Sequence, residues 1–158
     1  MFGGTIIYMK LDVSKKVLDK ARRSAKKYFP IETYGYLLGR VRNGKGYITD
    51  IYIPKDISEH CDTDGVDVPK HWATEVDEYC KLNLLAILGD IHSHPYTAKE
   101  ISCKNSRDIS ASPSEEDYED PGMGGIQGII VVLENKNGSL STRVKLYGPQ
   151  VQLQIKIK

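Results

Sequence analysis

The sequence predicts a three-layer α/β domain, in which a central mixed sheet of about six or seven strands is flanked by helices. Segments rich in β-branched and aromatic residues, typical of strands, recur along the chain. Segments with helical spacing or helix start signals lie between them. This mixed order favours helices packed on a sheet. A length of 158 residues suits one domain, so we expect residues 1–158 to form a single domain.

The predicted strands differ in their apolar patterns. Residues 84–91 are almost continuously apolar, as expected of a strand buried on both faces. Residues 151–157 alternate between apolar and polar, which predicts a half-buried edge strand. The turn sequence at 43–46 predicts a hairpin between the second and third strands. The complete set of predicted strands is 5–11, 34–40, 47–53, 84–91, 126–133, 141–147 and 151–157.

Three helices are predicted from their start signals and their apolar stripes. The first begins after Ser14 and ends at Pro30. The second begins near residues 68–69, and the third begins at Ser112, where Glu115 completes a capping box. The apolar stripes are Val17, Ala21, Ala25 and Tyr28 in the first helix, and Trp72, Val76, Tyr79 and Cys80 in the second.

Composition excludes several classes of protein. The formal net charge is +1, so no overall field favours nucleic acid or an anionic membrane. No apolar stretch approaches the roughly 20 residues of a membrane helix. The first residues lack the pattern of a signal peptide. An odd number of cysteines without CxxC spacing predicts a reducing cytoplasm, the cysteines being Cys61, Cys80 and Cys103.

The most distinctive local pattern is the pair His92 and His94, at the end of the buried strand. Residues two apart on a strand point to the same side, so the two imidazoles can face one point. Imidazole is a preferred zinc ligand. We expect Pro95 to end the strand and to leave the pair at the rim of the sheet. Taken alone, the pair could also be two ordinary surface histidines.

Two acidic positions complete the candidate set. Ser114 and Asp117 are three residues apart and share a helix face, so Asp117 could supply a carboxylate ligand beside the Ser114 hydroxyl. Alone, this spacing more often indicates helix capping. Glu32 precedes a strand that contains Gly35 and Gly39, and glycines in a strand often mark the close approach of another group. A lone glutamate at such a position is usually solvated.

Together these residues resemble the signature of the JAMM/MPN metalloprotease family. That signature consists of an upstream glutamate, then HS/THP, then SxxD. This chain has the same parts in the same order: Glu32 in ETYGYLLG, HSHP at 92–95, and SEED at 114–117. The ETxGxLLG form and the lead-in GDI at 89–91 are most similar to the compact prokaryotic branch. The resemblance extends over roughly residues 5–147.

The spacing of the signature departs from the family pattern HxHx(7)SxxD. Here nineteen residues separate His94 from Ser114. We interpret residues 95–112 as a loop insertion, since the entropic cost of loop closure grows only with the logarithm of length. Asp108 is a rival third ligand, but no serine precedes it by three residues, so the pattern favours Asp117. Cys103, within the insertion, could act as a blocking fourth ligand.

The resemblance implies a cytidine-deaminase-like three-layer fold and a zinc metallopeptidase. It implies that His92, His94 and Asp117 hold Zn²⁺ and leave a fourth position for water. Glu32 would act as general base and then as general acid, and the Ser114 hydroxyl would stabilise the oxyanion. The expected substrate is an amide or isopeptide bond at the C-terminus of a ubiquitin-like or sulfur-carrier-like protein.

Other functions remain open at this point. A catalytically silent MPN-type scaffold would lack His or Asp ligands, and this chain keeps them. A nucleobase deaminase needs HxE followed by PCxxC, and neither is present. A phage-tail or cell-wall peptidase module remains possible. His60, His71 and Cys61 are interpreted as ordinary residues, because no second pair at zinc-finger spacing accompanies them.

Overall fold

A computed structural model describes residues 10–103, 125–148 and 153–158. The described residues form a mixed α/β structure in which one seven-stranded sheet is flanked by helices, as the sequence predicts. The strands are β1 (Lys10–Val13), β2 (Tyr34–Arg42), β3 (Lys45–Tyr52), β4 (Ala86–Tyr96), β5 (Ile126–Glu134), β6 (Leu140–Tyr147) and β7 (Gln154–Ile157). The helices are α1 (Lys15–Tyr28), α2 (Ile57–His60), α3 (Lys70–Asn83) and α4 (Ala98–Cys103).

The sheet has the strand order β6-β5-β4-β2-β3-β1-β7. The pairs β2–β3, β2–β4 and β5–β6 are antiparallel, whereas β1–β3, β1–β7 and β4–β5 are parallel. The sheet is therefore mixed, and β7 lies at one edge as its alternating pattern predicts. β4 lies in the interior of the sheet, third from the β6 edge, with β2 antiparallel on one side and β5 parallel on the other.

Helix α1 covers one face of the sheet. Its buried side chains include Val17 and Ala21, at the spacing that the sequence predicts. They belong to one core with inward-facing strand residues such as Leu37 and Ile91. The N-terminal boundary falls at Ser14, although the Ser14 side chain makes no capping hydrogen bond. Burial of this apolar stripe against the sheet, rather than the cap, therefore holds α1 in place.

Helices α2 and α3 cover the opposite face. The buried residues of α3 are Trp72, Val76 and Cys80, which form a second core with Tyr36 and Leu38 of β2. Because successive residues of a strand point to opposite faces, β2 contributes alternately to the two cores. The helices on the two faces make the arrangement three-layered, as predicted.

The β2–β3 hairpin closes through a two-residue turn. Asn43 and Gly44 have φ values of 52° and 72° and lie between the paired residues Arg42 and Lys45. Turns with positive φ at both positions match the right-handed twist of the strands, and they favour Asn-Gly. The hairpin predicted from this sequence is thus confirmed.

Strand β4 differs from its predicted bounds at both ends. Leu84 is not in the strand but ends α3 in the left-handed conformation, and Pro95 does not terminate the strand, which continues to Tyr96. The N–H of Ser93 points towards β2, where it donates to the Thr33 carbonyl. The nitrogen of Pro95, two residues later, faces the same side of β4, but at that point β2 has not yet begun. Proline lacks an N–H, and its absence therefore costs no hydrogen bond between the two strands.

Two segments predicted as loop contain short helices. Helix α2 lies within residues 54–67, and α4 lies within residues 95–112. Neither segment has enough apolar residues to show helical periodicity, which explains why the sequence did not indicate them. Whether 95–112 is an insertion stays a prediction. The helix predicted to begin at Ser112 lies outside the described residues. Of the helices in the described ranges, none has the length and apolar character needed to cross a membrane.

Candidate metal centre

The two candidate ligands on β4 lie side by side. The Nε2 atoms of His92 and His94 are 3.0 Å apart, and the ring centroids are separated by 4.9 Å. Both side chains are half-buried. On the β5 side, His92 is paired with Ile129 and His94 with Val131, and neither β5 residue is exposed. The two histidines therefore lie beside buried apolar residues of β5, and both remain partly accessible to solvent.

This arrangement suits a zinc ion. Two ligands of a tetrahedral zinc, each about 2.0–2.1 Å from the metal, lie about 3.3 Å from one another. The observed separation of 3.0 Å between the two Nε2 atoms is close to that value. Small rotations of the rings would bring both lone pairs onto one ion, so the two imidazoles fit as ligands.

Glu32 lies two residues before the start of β2, the strand that pairs with β4. Tyr34 is opposite His92 in the antiparallel register. The pairing continues beyond β2, because the N–H of Ser93 donates to the carbonyl of Thr33 at 3.1 Å and the N–H of Thr33 donates to Ser93 Oγ at 2.8 Å. Glu32 directly precedes Thr33, so its backbone lies next to the last contact between this segment and β4.

The segment after α2 lies around Glu32. The N–H of Glu32 donates to the carbonyl oxygen of Asp62 at 2.9 Å. A Cβ placed on Gly65 would lie 3.8 Å from Glu32 Oε2. Burial, together with the nearby negative charge of Glu32, raises the pKa of the Cys61 thiol to about 12. Residues 61–65 therefore fix both the backbone and the surroundings of this carboxylate.

A buried carboxylate lies on the histidine face. Asp90 precedes His92 by two residues and is buried, and its Oδ2 accepts a 2.8 Å hydrogen bond from the Tyr34 hydroxyl. The Tyr34 ring stacks on Trp72 at a centroid distance of 5.7 Å. Burial, together with the negative charge of Asp90, raises the pKa of the Tyr36 hydroxyl to about 12. The histidine face is thus continuous with the core beneath α3.

Comparison with known proteins identifies the family of this chain. Residues 14–105 match the family of prokaryotic homologs of the JAB domain. The chain belongs to this family.

Two solved structures have a similar fold. A JAB1/MPN domain protein from Archaeoglobus fulgidus is 16% identical and has a TM-score of 0.53, and the match covers 94% of this chain and 98% of that one. A solution structure of a protein from Desulfitobacterium hafniense is 15% identical with a TM-score of 0.58, covering 94% of this chain and 92% of that one. No curated protein matches the chain.

The remaining predicted site residues of this JAB domain lie in a part of the chain that the structure does not describe. Ser114, Asp117 and the rival ligand Asp108 all fall between residues 103 and 125. The third zinc ligand and the oxyanion donor therefore stay predictions. Cys103, proposed as a blocking ligand, is exposed at the end of α4.

The JAB domain also contains a possible metal-binding group that the sequence did not indicate. Asp56, His60 and His71 each offer one ligand atom, and these atoms all lie within 4.8 Å of one another. The signal was present in the four-residue spacing of Asp56 and His60, which places them on one side of a helical turn. Residues 54–67 were expected to be loop, and in a loop a spacing of four residues does not bring side chains together. His71 lies eleven residues beyond His60, so the sequence offered no reason to group it with them.

Proposed function

We propose that this chain is a zinc-dependent peptidase that hydrolyses an amide or isopeptide bond. The observation that supports this proposal best is the pair of imidazole nitrogens 3.0 Å apart in the second half of β4, with Glu32 two residues before Tyr34, the partner of His92 in the sheet. We further propose Asp117 as the third ligand, in line with the family signature. Three protein ligands would leave a fourth position open, as in catalytic rather than structural zinc sites.

Each residue has a distinct role in this proposal. Zinc, when bound, supplies a Lewis acid that lowers the pKa of water towards about 7 and polarises the scissile carbonyl. Glu32 accepts a proton from the attacking water and returns it to the leaving amine. The hydrogen bond from the Glu32 N–H to the Asp62 carbonyl supports this role, because it holds in place the backbone from which the carboxylate side chain extends. The Ser114 hydroxyl donates to the developing oxyanion.

The substrate class that we propose follows the resemblance to JAMM/MPN peptidases. It is the C-terminal tail of a ubiquitin-like or sulfur-carrier-like protein, joined through an amide or isopeptide bond.

We propose that this activity takes place in the cytoplasm, because the cysteines at positions 61, 80 and 103 are all free thiols and a reducing compartment keeps thiols free.

Metal content gives the first test. The double variant His92→Ala with His94→Ala removes both proposed ligands from β4 and should lose the zinc bound at this centre, measured by elemental analysis of the purified chain. Removing an entire pair of ligands leaves too few donors to retain the ion. Zinc retained at this centre by the double variant would contradict the proposal.

Turnover gives the second test. Glu32→Gln keeps the size of the side chain and removes its basicity, so it should keep zinc and lose about 10²–10⁴-fold in rate. The substrates are linear fusions to a ubiquitin-like protein and to a small protein that ends in Gly-Gly. Glu78→Gln, an exposed glutamate on α3, is the matched control and should leave the rate unchanged. An unaltered rate in Glu32→Gln would remove this residue from the mechanism.

A further inference from the structure

Asp56 lies at the centre of a compact group on the α2–α3 side of the sheet. Its Oδ2 is 2.6 Å from Nε2 of His71 and 3.2 Å from Nε2 of His60. Its Oδ1 accepts a 2.7 Å hydrogen bond from Nε1–H of Trp72. One carboxylate oxygen therefore faces two imidazole nitrogens, while the other oxygen is held by a buried tryptophan.

We propose that Asp56, His60 and His71 form a second zinc site, separate from the centre on β4, and that this site fixes the segment that holds Glu32. The metal site itself stands independently of the proposed peptidase activity. Only its relevance to catalysis rests on that activity, through the role given to Glu32.

The donor set has the chemistry that zinc requires. Two imidazoles and one carboxylate are among the ligands that zinc prefers. Zinc ligands at about 2.0–2.2 Å from the metal lie about 3.3 Å apart. The 3.2 Å separation of Oδ2 from His60 is close to that value, whereas the 2.6 Å separation from His71 would have to widen by about 0.7 Å. The His71 side chain is 48% exposed, which leaves room for ring rotation and for water as a fourth ligand.

The surroundings of the group also resemble those of a metal site. Ligating carboxylates in proteins are commonly held by an outer hydrogen bond that orients the free oxygen towards the metal. Trp72, which is fully buried, provides this bond to Asp56. The rings of His60 and His71 lie edge to face at 5.3 Å, and the ring of His60 also packs edge to face on Trp72 at 5.5 Å. The buried Trp72 side chain thus contacts both the carboxylate and one of the imidazoles of the group.

The proposed ion would connect two elements that the chain joins only through a loop. Asp56 and His60 belong to the start and end of α2, whereas His71 lies in the first turn of α3. Between them, the Asp67 N–H donates to the His60 carbonyl at 2.8 Å. Binding of all three side chains would therefore close residues 61–69 at both ends.

That closed segment carries the contacts to Glu32. Asp62, two residues after His60, accepts the Glu32 N–H and donates its own N–H to the Gly65 carbonyl at 3.0 Å. The same face continues from Trp72 to Tyr34, which is opposite His92. A zinc ion at Asp56 would consequently restrict the backbone that positions Glu32, without any ligand being shared with the pair on β4.

Zinc stoichiometry tests the site directly. The full chain is stripped with a chelator, titrated with Zn²⁺ alone, and the bound metal is counted after removal of excess. We expect two zinc ions per wild-type chain, one in His71→Ala, one in the variant with both His92→Ala and His94→Ala, and none when all three substitutions are combined. Thr74→Ala, at an exposed position near His71 on α3, is the control and should bind two.

The outcomes separate this inference from the peptidase proposal. If His71→Ala binds as much zinc as wild type, the group is a hydrogen-bond network only and the inference is wrong. If the His92/His94 variant keeps both ions while His71→Ala loses one, the second site stands and the metal centre of the proposed peptidase is lost. Trp72→Phe provides an independent check, because loss of the outer hydrogen bond should weaken zinc binding about 10–100-fold.

Hydrogen exchange tests the connection to Glu32. In the His92/His94 variant, where only the second site remains, zinc should slow exchange of the Glu32 amide by at least about tenfold, because opening of residues 61–65 then requires release of the ion. Adding His71→Ala should abolish this effect. An exchange rate that does not respond to zinc, in a chain that binds one ion, would overturn the proposed role in positioning Glu32.

Discussion

The hydroxyl of Tyr34 donates a 2.8 Å hydrogen bond to Oδ2 of Asp90, a carboxylate that is only 6% exposed. Tyr34→Phe removes the donor and keeps the ring stacked on Trp72. We expect a loss of about 1.5–3 kcal/mol in the free energy of unfolding, the usual effect of removing a hydrogen bond to a charged group. Urea unfolding measures it. Tyr47→Phe is the matched control, expected to change stability by less than about 0.5 kcal/mol.

Gly89 of β4 is paired with Ile126 of β5. A Cβ at this position would lie 2.0 Å from the Ile126 carbonyl oxygen, so the two strands would have to separate. Gly89→Ala should therefore destabilise the chain by about 1–3 kcal/mol or more, as overpacking does, and should disturb His92 three residues along. Gly65→Ala, which meets only Glu32 Oε2 at 3.8 Å, is the control. Equal melting temperatures for the two variants would contradict this close approach.

The environment of Tyr79 predicts that the stability of the fold depends on pH in the alkaline range. Its hydroxyl donates a 2.5 Å hydrogen bond to Asp50, and this bond, together with burial, raises the pKa of Tyr79 to about 12. In the unfolded chain the pKa of tyrosine is about 10. The folded state therefore keeps the proton more tightly, and the stabilisation is complete below about pH 10 and lost as the pH rises towards 12.

The variant Tyr79→Phe measures that contribution. It should be less stable than wild type at pH 8, and the difference between the two should shrink between about pH 10 and 12, in urea unfolding at each pH. A difference that stays constant over this range would show that the hydrogen bond to Asp50 does not set the titration of Tyr79.

The three cysteines should differ sharply in reactivity. Cys61 and Cys80 are buried, and burial raises the pKa of both thiols, that of Cys61 to about 12. Cys103 is exposed. Because the thiolate is the reactive species, brief treatment with iodoacetamide at pH 8 should modify Cys103 alone, and all three cysteines should react in denaturant. Mass spectrometry of the peptides identifies the sites. Rapid labelling of native Cys61 would contradict the packing under α2.

The fold was predictable because most of its elements have strong periodic patterns. The stripe of α1 and the apolar run that becomes β4 both show their burial in the sequence, and Asn43-Gly44 identifies the hairpin turn. The extent of β4 beyond Pro95 was not predictable. It depends on which side of the strand the proline nitrogen faces, and that is decided by where the neighbouring strand begins.

The candidate site was predictable only where sequence spacing equals spatial spacing. His92 and His94 are two apart on one strand, so their proximity follows from the pleat. Asp56 and His71 meet through the packing of α2 against α3 around Trp72, a tertiary relationship with no periodic signature. The contact between Glu32 and residues 61–65 is of the same kind.

Strand β4 is hydrogen-bonded on both sides, whereas Glu32 precedes β2 and depends on the short segment after α2. On mild heating, Glu32 should consequently be displaced before the imidazoles of His92 and His94 separate. If the proposed function holds, the first effect of heating would be a loss of turnover in a chain that still retains zinc, and cooling alone should reverse it.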